Sequence, residues 1–184
     1  MRGNQIPKCI TLKTRRMVLR CPRLDDVAHI HAVVVSPQFP EQLPLKERDE
    51  ISKIEGWLKR LQEARVAGRA YSWIVEEAHT GSLVGQVTLS LKEAPHLWAL
   101  AYWIHPDQWG KGYATEAARR VLTFGFEQLE AQTIWAAAGQ WNTGSCRVLE
   151  KLGMRYLGDN PAGYYSKGKP IPTREYEIAR GEFA

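Results

Sequence analysis

Cysteine is scarce in this chain, with three residues among 184. Cys9, Cys21 and Cys146 are an odd number, and no two of them show the Cys-x-x-Cys spacing of a zinc or redox site. The five histidines are scattered, so the sequence predicts no metal site. The same scarcity argues against a disulfide framework and is typical of proteins from a reducing cytosol.

Long hydrophobic runs are absent as well. No stretch approaches the roughly 18 apolar residues that a membrane span needs, and no apolar run precedes Arg15. We therefore expect a cytoplasmic protein with no membrane partner and no targeting segment. With 44% hydrophobic and 24% charged residues, the composition is that of an ordinary globular protein, and the length suits one core.

The formal charge of +5 is too modest to indicate a nucleic-acid-binding protein. The sequence also lacks strands on which aromatic and basic residues alternate, and it has no recognisable helix-turn-helix pattern. A mildly basic surface is still compatible with an anionic ligand, because its field attracts phosphate groups. The composition thus disfavours direct nucleic-acid binding and leaves a phosphate-bearing ligand open.

The pattern of apolar residues predicts a single α/β (α+β) domain over residues 11–184, after a loose lead-in over residues 1–10. The order of the elements predicts a mixed sheet with helices packed against it. The predicted strands are 16–20, 71–76, 83–91, 97–104, 133–138 (buried on both faces), 154–157 and 176–178. The predicted helices are 25–35, 46–66, 114–130 and 143–151, and a loop rich in glycine, proline and lysine is expected over 167–173.

A tight glycine turn, Trp109–Ala117, joins the predicted strand 97–104 to the predicted helix 114–130. The first N–H groups of a helix have no internal partner, and the helix dipole attracts negative charge to that end. Gly110 and Gly112 lack Cβ atoms and Ala114 is small, so the backbone can approach a ligand closely. The segment therefore predicts a phosphate site. It matches neither a Walker loop nor the dinucleotide fingerprint, which needs a third small residue in place of Thr115.

A second unusual segment opens the predicted helix 143–151. Asn142 and Ser145 lie three residues apart, which places them close together on the first helical turn. Two interpretations are open: these side chains contact the reactive end of a ligand, or they cap the helix by accepting its unpaired N–H groups. Trp141, which precedes them in a loop, is the tryptophan that we most expect to touch a ligand.

Three motifs together carry a family resemblance. They read Trp-Gly-Lys-Gly-Tyr-Ala-Thr-Glu-Ala from Trp109, Trp-Asn-x-x-Ser from Trp141 and Val-Leu-Glu-Lys-Leu-Gly from Val148. With this spacing the chain resembles the GNAT acetyltransferase superfamily, and within it the RimJ/RimL-like branch, over roughly residues 11–180. The resemblance implies one GNAT-like domain with a mixed, mostly antiparallel sheet of about seven strands and about four helices.

The resemblance also implies acetyl-CoA as the cofactor, CoA as the product and no metal. In such a site the backbone N–H groups of Gly110–Thr115 hold the pyrophosphate, Asn142 hydrogen-bonds the cofactor and Ser145 donates to the departing thiolate. A backbone N–H near Ile104–His105 is the expected donor to the carbonyl oxygen. Asn142 and Ser145 are thus the candidate catalytic residues. The implied cofactor-binding residues are Ile104, Trp109, Gly110, Lys111, Gly112, Tyr113, Ala114, Thr115, Asn142 and Ser145.

Three positions depart from the superfamily pattern. Trp109 stands at the head of the phosphate loop, where many members carry glutamine or arginine. Leu149 stands where others place a tyrosine proton donor, which puts more weight on Ser145. The segment 98–103 lacks the glutamate that many relatives carry on this strand. The general base is therefore unassigned.

The missing carboxylate bears on the acceptor. At pH 7 roughly a tenth of an α-amine with a pKa near 8 is neutral, against well under a thousandth of a lysine side chain. A site without an assigned base therefore favours an α-amine or another amine of low pKa. Four acidic residues could attract a cationic amine or could simply form a solvated helix start; they are Glu41, Glu47, Asp49 and Glu50.

Two functions of different classes are expected. The first is an acetyl-CoA-dependent N-acetyltransferase in which an amine attacks the thioester directly. Its acceptor is a protein N-terminus, as in the ribosomal-protein acetyltransferases, or a small-molecule amine. The alternative is a catalytically degenerate acyl-CoA-binding sensor or interaction protein. The sequence is compatible with a monomer or a homodimer.

Overall fold

The sheet and helices predicted from the sequence are present in the computed structural model, which describes residues 9–183. The strands are β1 (Leu12–Lys13), β2 (Met17–Arg20), β3 (Ala70–Glu77), β4 (Leu83–Leu91), β5 (Leu97–Ile104), β6 (Thr133–Gly139), β7 (Arg155–Ser166) and β8 (Lys169–Ala179). The helices are α1 (Asp26–Val35), α2 (Ile51–Val66), α3 (Tyr113–Gln128) and α4 (Thr143–Lys151). The predicted lead-in lies outside the described residues, except for its last two.

The strands follow the order β1-β2-β3-β4-β5-β6-β8-β7, and within the described sheet only β5 and β6 run parallel. A parallel pair needs a crossover connection, which α3 provides. The pairing joins Leu97–Leu100 to Thr133–Ala136 and stops there, although both strands continue. The unpaired strand ends leave an opening in the middle of the sheet.

The sheet separates two hydrophobic cores. Side chains alternate between the faces of a strand, so Trp73 and Val75 pack in one core while Ile74 packs in the other. Helices α3 and α4 cover the first core, and α1 and α2 cover the second. No helix within residues 9–183 combines the length and the apolar character needed to cross a lipid bilayer.

The predicted fold class is confirmed, and the described sheet has eight strands because the short β1 pairs with β2. The strands 83–91 and 97–104 and the helix 143–151 have the predicted bounds. The second helix starts later than predicted, because Pro44–Glu47 forms a separate 3₁₀ turn and α2 begins at Ile51. The expectation for β6 was wrong, since its residues alternate between buried and half-buried instead of being buried on both faces.

The last two strands correct the loop predicted over 167–173. Lys167 and Gly168 have φ values of 50° and 72°, and two successive positive φ angles are what a type I′ hairpin turn requires. Such a turn matches the twist of the flanking strands, so β7 and β8 pair as far as Ser166 and Lys169. The glycine and prolines of the segment therefore lie in a long hairpin.

Cys9 and Cys21 form a disulfide, so the prediction against disulfides was wrong for this pair. The pairing of Leu12 with Leu19 in the β1–β2 hairpin brings the residues that flank the ladder face to face, and the two cysteine Cα atoms lie 5.8 Å apart. Cys146 is buried and free. The pairing removes the cysteine-based reason for expecting a reducing cytosol.

Arg20 joins three elements through one guanidinium group. Its Nη2 lies 2.6 Å from a carboxylate oxygen of Asp26 in α1 and 2.6 Å from one of Glu76 in β3. Asp26 is buried and also accepts the backbone N–H of Arg23 at 2.6 Å. The hydrogen bond to Asp26 raises the pKa of Arg20 above its ordinary value, against the effect of burial. The guanidinium thus supplies the charge that a buried carboxylate needs.

Candidate active site

A cavity of about 660 Å³ fills the opening between β5 and β6. Its walls come from the unpaired ends of both strands, the glycine turn, the first turns of α3 and α4, the α1–α2 loop and β7. Every predicted cofactor-binding residue except Lys111 lines this one space. The structure therefore brings together two motifs that are separate in the sequence.

Alternate residues of β5 direct their backbone groups into the cavity. The His105 N–H donates to the Val84 carbonyl at 2.8 Å, and antiparallel pairing lets every second residue of β5 bond to β4. The intervening Tyr102 and Ile104 therefore turn their N–H and C=O groups toward β6, beyond the last β5–β6 pair. The His105 N–H is thus already bonded within the sheet, whereas the Ile104 N–H faces the cavity; a donor to the carbonyl oxygen at this point stays a prediction.

The glycine turn has a backbone that only glycine adopts without strain. The φ angle is 74° at Gly110 and 77° at Gly112, in the left-handed region. Helix α3 begins at Tyr113, one residue before the predicted start, and its N-cap residue Gly112 offers no side chain to the first N–H groups. These groups lie at the cavity wall with the positive end of the helix dipole. Such an arrangement can bind a phosphate.

Arg16, in the turn between β1 and β2, holds the glycine turn from outside. Its Nη1 donates to the Lys111 carbonyl at 2.9 Å, and its Nε lies 2.7 Å from the Glu116 carboxylate. Its guanidinium also lies 4.5 Å from the centroid of the Tyr113 ring. Burial alone would raise the pKa of Glu116, but hydrogen bonds from Thr14 and Arg16 lower it. The sequence analysis missed this role, because nothing local signals a contact across 100 residues.

Trp109 and Lys111 make contacts within the turn. The Trp109 Nε1 donates to the Ile104 carbonyl at 2.8 Å, which ties the turn to the end of β5. The Lys111 Nζ donates to the Gln108 side chain at 3.0 Å, and the Lys111 side chain does not line the cavity. These bonds fix the shape of the turn without a ligand, which reduces the entropy lost on binding.

Asn142 and Ser145 form the facing wall. The Asn142 Oδ1 accepts the Ser145 N–H at 3.0 Å, so the capping interpretation describes this oxygen. Both residues line the cavity, and the Asn142 amide nitrogen can still contact a ligand. The cap holds Ser145 in a fixed position on the first turn of α4.

Tyr102 is a further site residue that the sequence analysis missed. Its hydroxyl oxygen lies 2.8 Å from the Ser145 Oγ and 3.3 Å from the Ser145 carbonyl oxygen. Burial raises the pKa of Tyr102 above its ordinary value, against the opposing hydrogen bond with Ser145, so the phenol is protonated at neutral pH. A phenol that donates to the Ser145 Oγ leaves the serine O–H free to donate into the cavity.

The four acidic residues considered for amine attraction do not line the cavity. They contact the following groups: Glu41 the ammonium groups of Lys46 and Lys167, Glu47 the backbone N–H of Lys167, and Asp49 and Glu50 the ammonium group of Lys53. Indeed no aspartate or glutamate among the described residues lines the cavity, and the same residues contain no cluster suited to a metal ion. Within residues 9–183, the lining of this cavity thus supplies no carboxylate base.

Comparison with known proteins decides the family. A family model described as an acetyltransferase (GNAT) domain matches residues 16–155, well over half of the chain. The chain belongs to the GNAT acetyltransferase family. The uncharacterized N-acetyltransferase YoaA of Bacillus subtilis is 26% identical over 170 residues, which cover 92% of this chain and 96% of YoaA.

Solved structures share the GNAT fold. An acetyltransferase of the GNAT family from Bacillus anthracis gives a TM-score of 0.82 at 22% identity, covering 94% of this chain and 100% of its own. Mycobacterium smegmatis RimJ, solved in complex with CoA-disulfide, gives 0.81 at 23% identity, covering 95% of this chain and 88% of its own. The family model and YoaA confirm the predicted resemblance to the GNAT superfamily and the prediction of an acyltransferase, and the RimJ structure shares the fold.

Proposed function

We propose that this GNAT protein transfers the acetyl group of acetyl-CoA to an amine, either a protein N-terminal α-amine or a small-molecule amine of similarly low pKa. One observation carries the proposal: a single cavity joins an uncapped helix N-terminus to a hydroxyl pair, Tyr102 and Ser145. The first suits the phosphates of a CoA thioester and the second suits its leaving thiolate. The CoA-disulfide bound to RimJ of the same fold supports this ligand class.

The residues present fit CoA along the length of the cavity. We assign the pyrophosphate to the backbone N–H groups of Gly110–Thr115. The backbone groups of Tyr102 that face the opening suit an amide of the pantetheine arm, which would add to β5 where β6 has diverged. Arg147 and Lys151 line the same cavity on α4 and carry positive charge suited to a phosphate.

The chemistry that we propose is direct attack of a neutral amine on the thioester carbonyl. As the C–N bond forms, the carbonyl oxygen gains negative charge, and the Ile104 N–H donates to it. As the C–S bond breaks, the thiolate accepts a proton from Ser145, which Tyr102 orients, and Ser145 is reprotonated from solvent. The surplus proton of the amine passes to solvent. The products are an amide and CoA, with no covalent enzyme intermediate.

The proposal is tested by isothermal titration with acetyl-CoA, followed by thiol release in the presence of peptide and small-amine panels. We expect acetyl-CoA to bind with a sub-millimolar Kd, roughly the range of ordinary enzyme–substrate affinities. We also expect CoA release that depends on the acceptor. Binding without release from any amine would contradict the transfer reaction. No binding would contradict the assignment of the glycine turn.

Replacing Ser145 with alanine is expected to lower kcat on the order of 10²-fold, because the thiolate loses its proton donor. The Kd for acetyl-CoA should change little, since the pyrophosphate site is untouched. The measurement is steady-state thiol release together with calorimetry. Thr143→Ala is the matched control, because Thr143 lies on the same helical turn, lines the same cavity and has no assigned role. Unchanged turnover in Ser145→Ala would contradict a catalytic role for Ser145 and leave it a structural role only.

Replacing Tyr102 with phenylalanine is expected to lower kcat about tenfold with little change in KM, because Ser145 loses the donor that orients its hydroxyl. The double variant with Ser145→Ala should be no slower than Ser145→Ala alone, since the two residues act as a unit. Tyr156→Phe is the control: Tyr156 is exposed and bonds to Asp159 at 2.7 Å, outside the cavity. Additive losses in the double variant would contradict a shared role.

We also propose a cytoplasmic location, supported by the use of acetyl-CoA, a metabolite of the cell interior. Disulfides are rare in that compartment. The state of Cys9 and Cys21 in cells can be measured by the mass gained on alkylation without a reductant.

All the proposed ligand contacts come from one chain, so a monomer and a homodimer both fit the proposal.

A further inference from the structure

Residues from both faces of the sheet line the cavity. Tyr102 packs against the core under α3 and α4, whereas its neighbour Trp103 belongs to the core under α1 and α2. The α1–α2 loop borders the cavity together with Trp141, which follows β6, and Tyr164 in β7. We call these residues the acceptor wall; they are Pro40, Leu43, Pro44, Trp141 and Tyr164.

The aromatic part of the acceptor wall packs over Gly139, at the end of β6. A Cβ atom at Gly139 would lie 2.4 Å from the Trp141 indole nitrogen and 3.1 Å from the Tyr164 hydroxyl oxygen. Glycine therefore allows both rings to converge on this point. Trp141 is 37% exposed and presents apolar surface where it lines the cavity. The wall thus resembles a half-open apolar pocket, which gains free energy when an apolar group covers it.

The Tyr164 hydroxyl is the polar group of the wall. Its oxygen is buried and makes no hydrogen bond of ordinary geometry to the described residues. Burial raises the pKa of Tyr164, and a hydrogen bond from the Trp141 indole lowers it. An indole N–H only donates, so the buried Tyr164 O–H has no acceptor among the described residues. A carbonyl oxygen on a ligand would accept it.

The cavity offers nothing to a second positive charge. Among the described residues that line it, the charged side chains are Arg147 and Lys151, which are both cationic. Glu41, beside the wall, contacts the ammonium groups of Lys46 and Lys167, and the hydrogen bond from Lys167 lowers the pKa of this carboxyl. A second ammonium group on the acceptor would move from water into a cavity whose described lining offers it no counter-ion. Such a transfer of charge is unfavourable.

We propose that the acceptor is an α-amino amide with an apolar side chain: one reactive amine, an adjoining carbonyl for Tyr164 and an apolar group against Trp141. Peptide N-termini and single amino-acid amides share this chemistry, whereas polyamines and aminoglycosides lack it. This inference rests on the proposed acetyl transfer and names the substrate class of that site.

The test compares three acceptors that carry the same α-amino amide group: norleucine amide, lysine amide and glycine amide. With saturating acetyl-CoA, kcat/KM for norleucine amide should exceed that for glycine amide by about tenfold or more, the usual discrimination of an apolar pocket. It should exceed that for lysine amide, which adds one ammonium group to the same chain, by at least about tenfold. Equal rates for lysine amide and norleucine amide would overturn the inference.

A variant pair tests the wall itself. Trp141→Ala should lower kcat/KM for norleucine amide about tenfold and leave glycine amide within about twofold. The control is Trp135→Ala, since Trp135 lies on β6 outside the cavity, with the Lys92 Nζ 4.8 Å from its ring centroid. This variant should keep the wild-type preference. If Trp135→Ala also loses the preference for norleucine amide, the loss reflects general instability of both variants. That result would overturn the role of Trp141.

A binding measurement separates failure of this inference from failure of the proposed function. Norleucine amide is titrated into the protein saturated with CoA, which carries no acetyl group and cannot react. Saturable binding that weakens in Trp141→Ala supports the substrate class. Acetylation of lysine amide in preference to norleucine amide would leave acetyl transfer intact and refute the substrate class. Absence of acetylation with every amine would refute the proposed function.

Discussion

Gly112→Arg is expected to weaken acetyl-CoA binding by roughly a hundredfold or more, because a Cβ at the N-cap of α3 lies 3.6 Å from the Arg16 Nη2. The new guanidinium therefore crowds and repels the residue that holds the turn assigned to the pyrophosphate. The φ of 77° at Gly112 adds backbone strain for any L-residue. Isothermal titration measures the Kd, and a thermal melt followed by circular dichroism confirms that the variant folds. Wild-type affinity in a folded Gly112→Arg protein would refute the phosphate assignment of the turn.

The matched control for this variant is Gly81→Arg. Gly81 has a φ of 69°, close to that of Gly112, and a Cβ there meets no atom within 4 Å. It lies in the β3–β4 connection, away from the cavity, so the variant introduces the same charge, the same side chain and similar strain. We expect an unchanged Kd for acetyl-CoA. Equal weakening by both substitutions would attribute the effect to strain or charge rather than to the pyrophosphate site.

Arg20→Met is expected to lower the free energy of unfolding by about 3 kcal/mol, because it strands the buried Asp26 carboxylate without its cation. Glu76 loses the same partner. Methionine keeps most of the apolar stem, so lost packing contributes little. Urea denaturation at neutral pH measures the change as a shift of the midpoint at constant slope.

Two further variants show whether charge causes this loss. Arg20→Met combined with Asp26→Asn removes the stranded charge and should recover part of the stability. Lys53→Met removes a lysine that contacts Asp49 and Glu50 at the surface, and it should leave the midpoint unchanged. Equal destabilisation by Lys53→Met and Arg20→Met would contradict the importance of burial. No loss in Arg20→Met would contradict the ion-pair argument.

Elements with strong local signals could be predicted from the sequence. The strands 83–91 and 97–104 are β-rich runs bounded by turn residues, and the helix 143–151 starts at an asparagine cap. This helix ends shortly before Gly153, where φ is 82° and the N–H groups of Gly153 and Met154 bond back to the last turn, as is common for a glycine after a helix. Each of these signals acts within a few residues.

The hairpin β7–β8 shows where local signals mislead. Pro170 and Pro172 argue against a strand, because proline lacks the N–H of a ladder bond. Both lie in the part of β8 that extends past the last pair with β6, which joins Gly139 to Thr173. This part of β8 pairs with β7 only, so fewer of its backbone N–H groups take part in ladder hydrogen bonds. That exception depends on the strand order and not on the segment itself.

The sequence by itself determined the order of the elements, the glycine turn and the family resemblance, because propensities, caps and turn residues act over short distances. The tertiary structure alone decided how distant residues meet. It placed Tyr102 against Ser145, Arg16 against the turn at Lys111 and Cys9 against Cys21. Such contacts follow from strand register and from the divergence of β5 and β6, where a shift of one residue would turn Tyr102 to the other face.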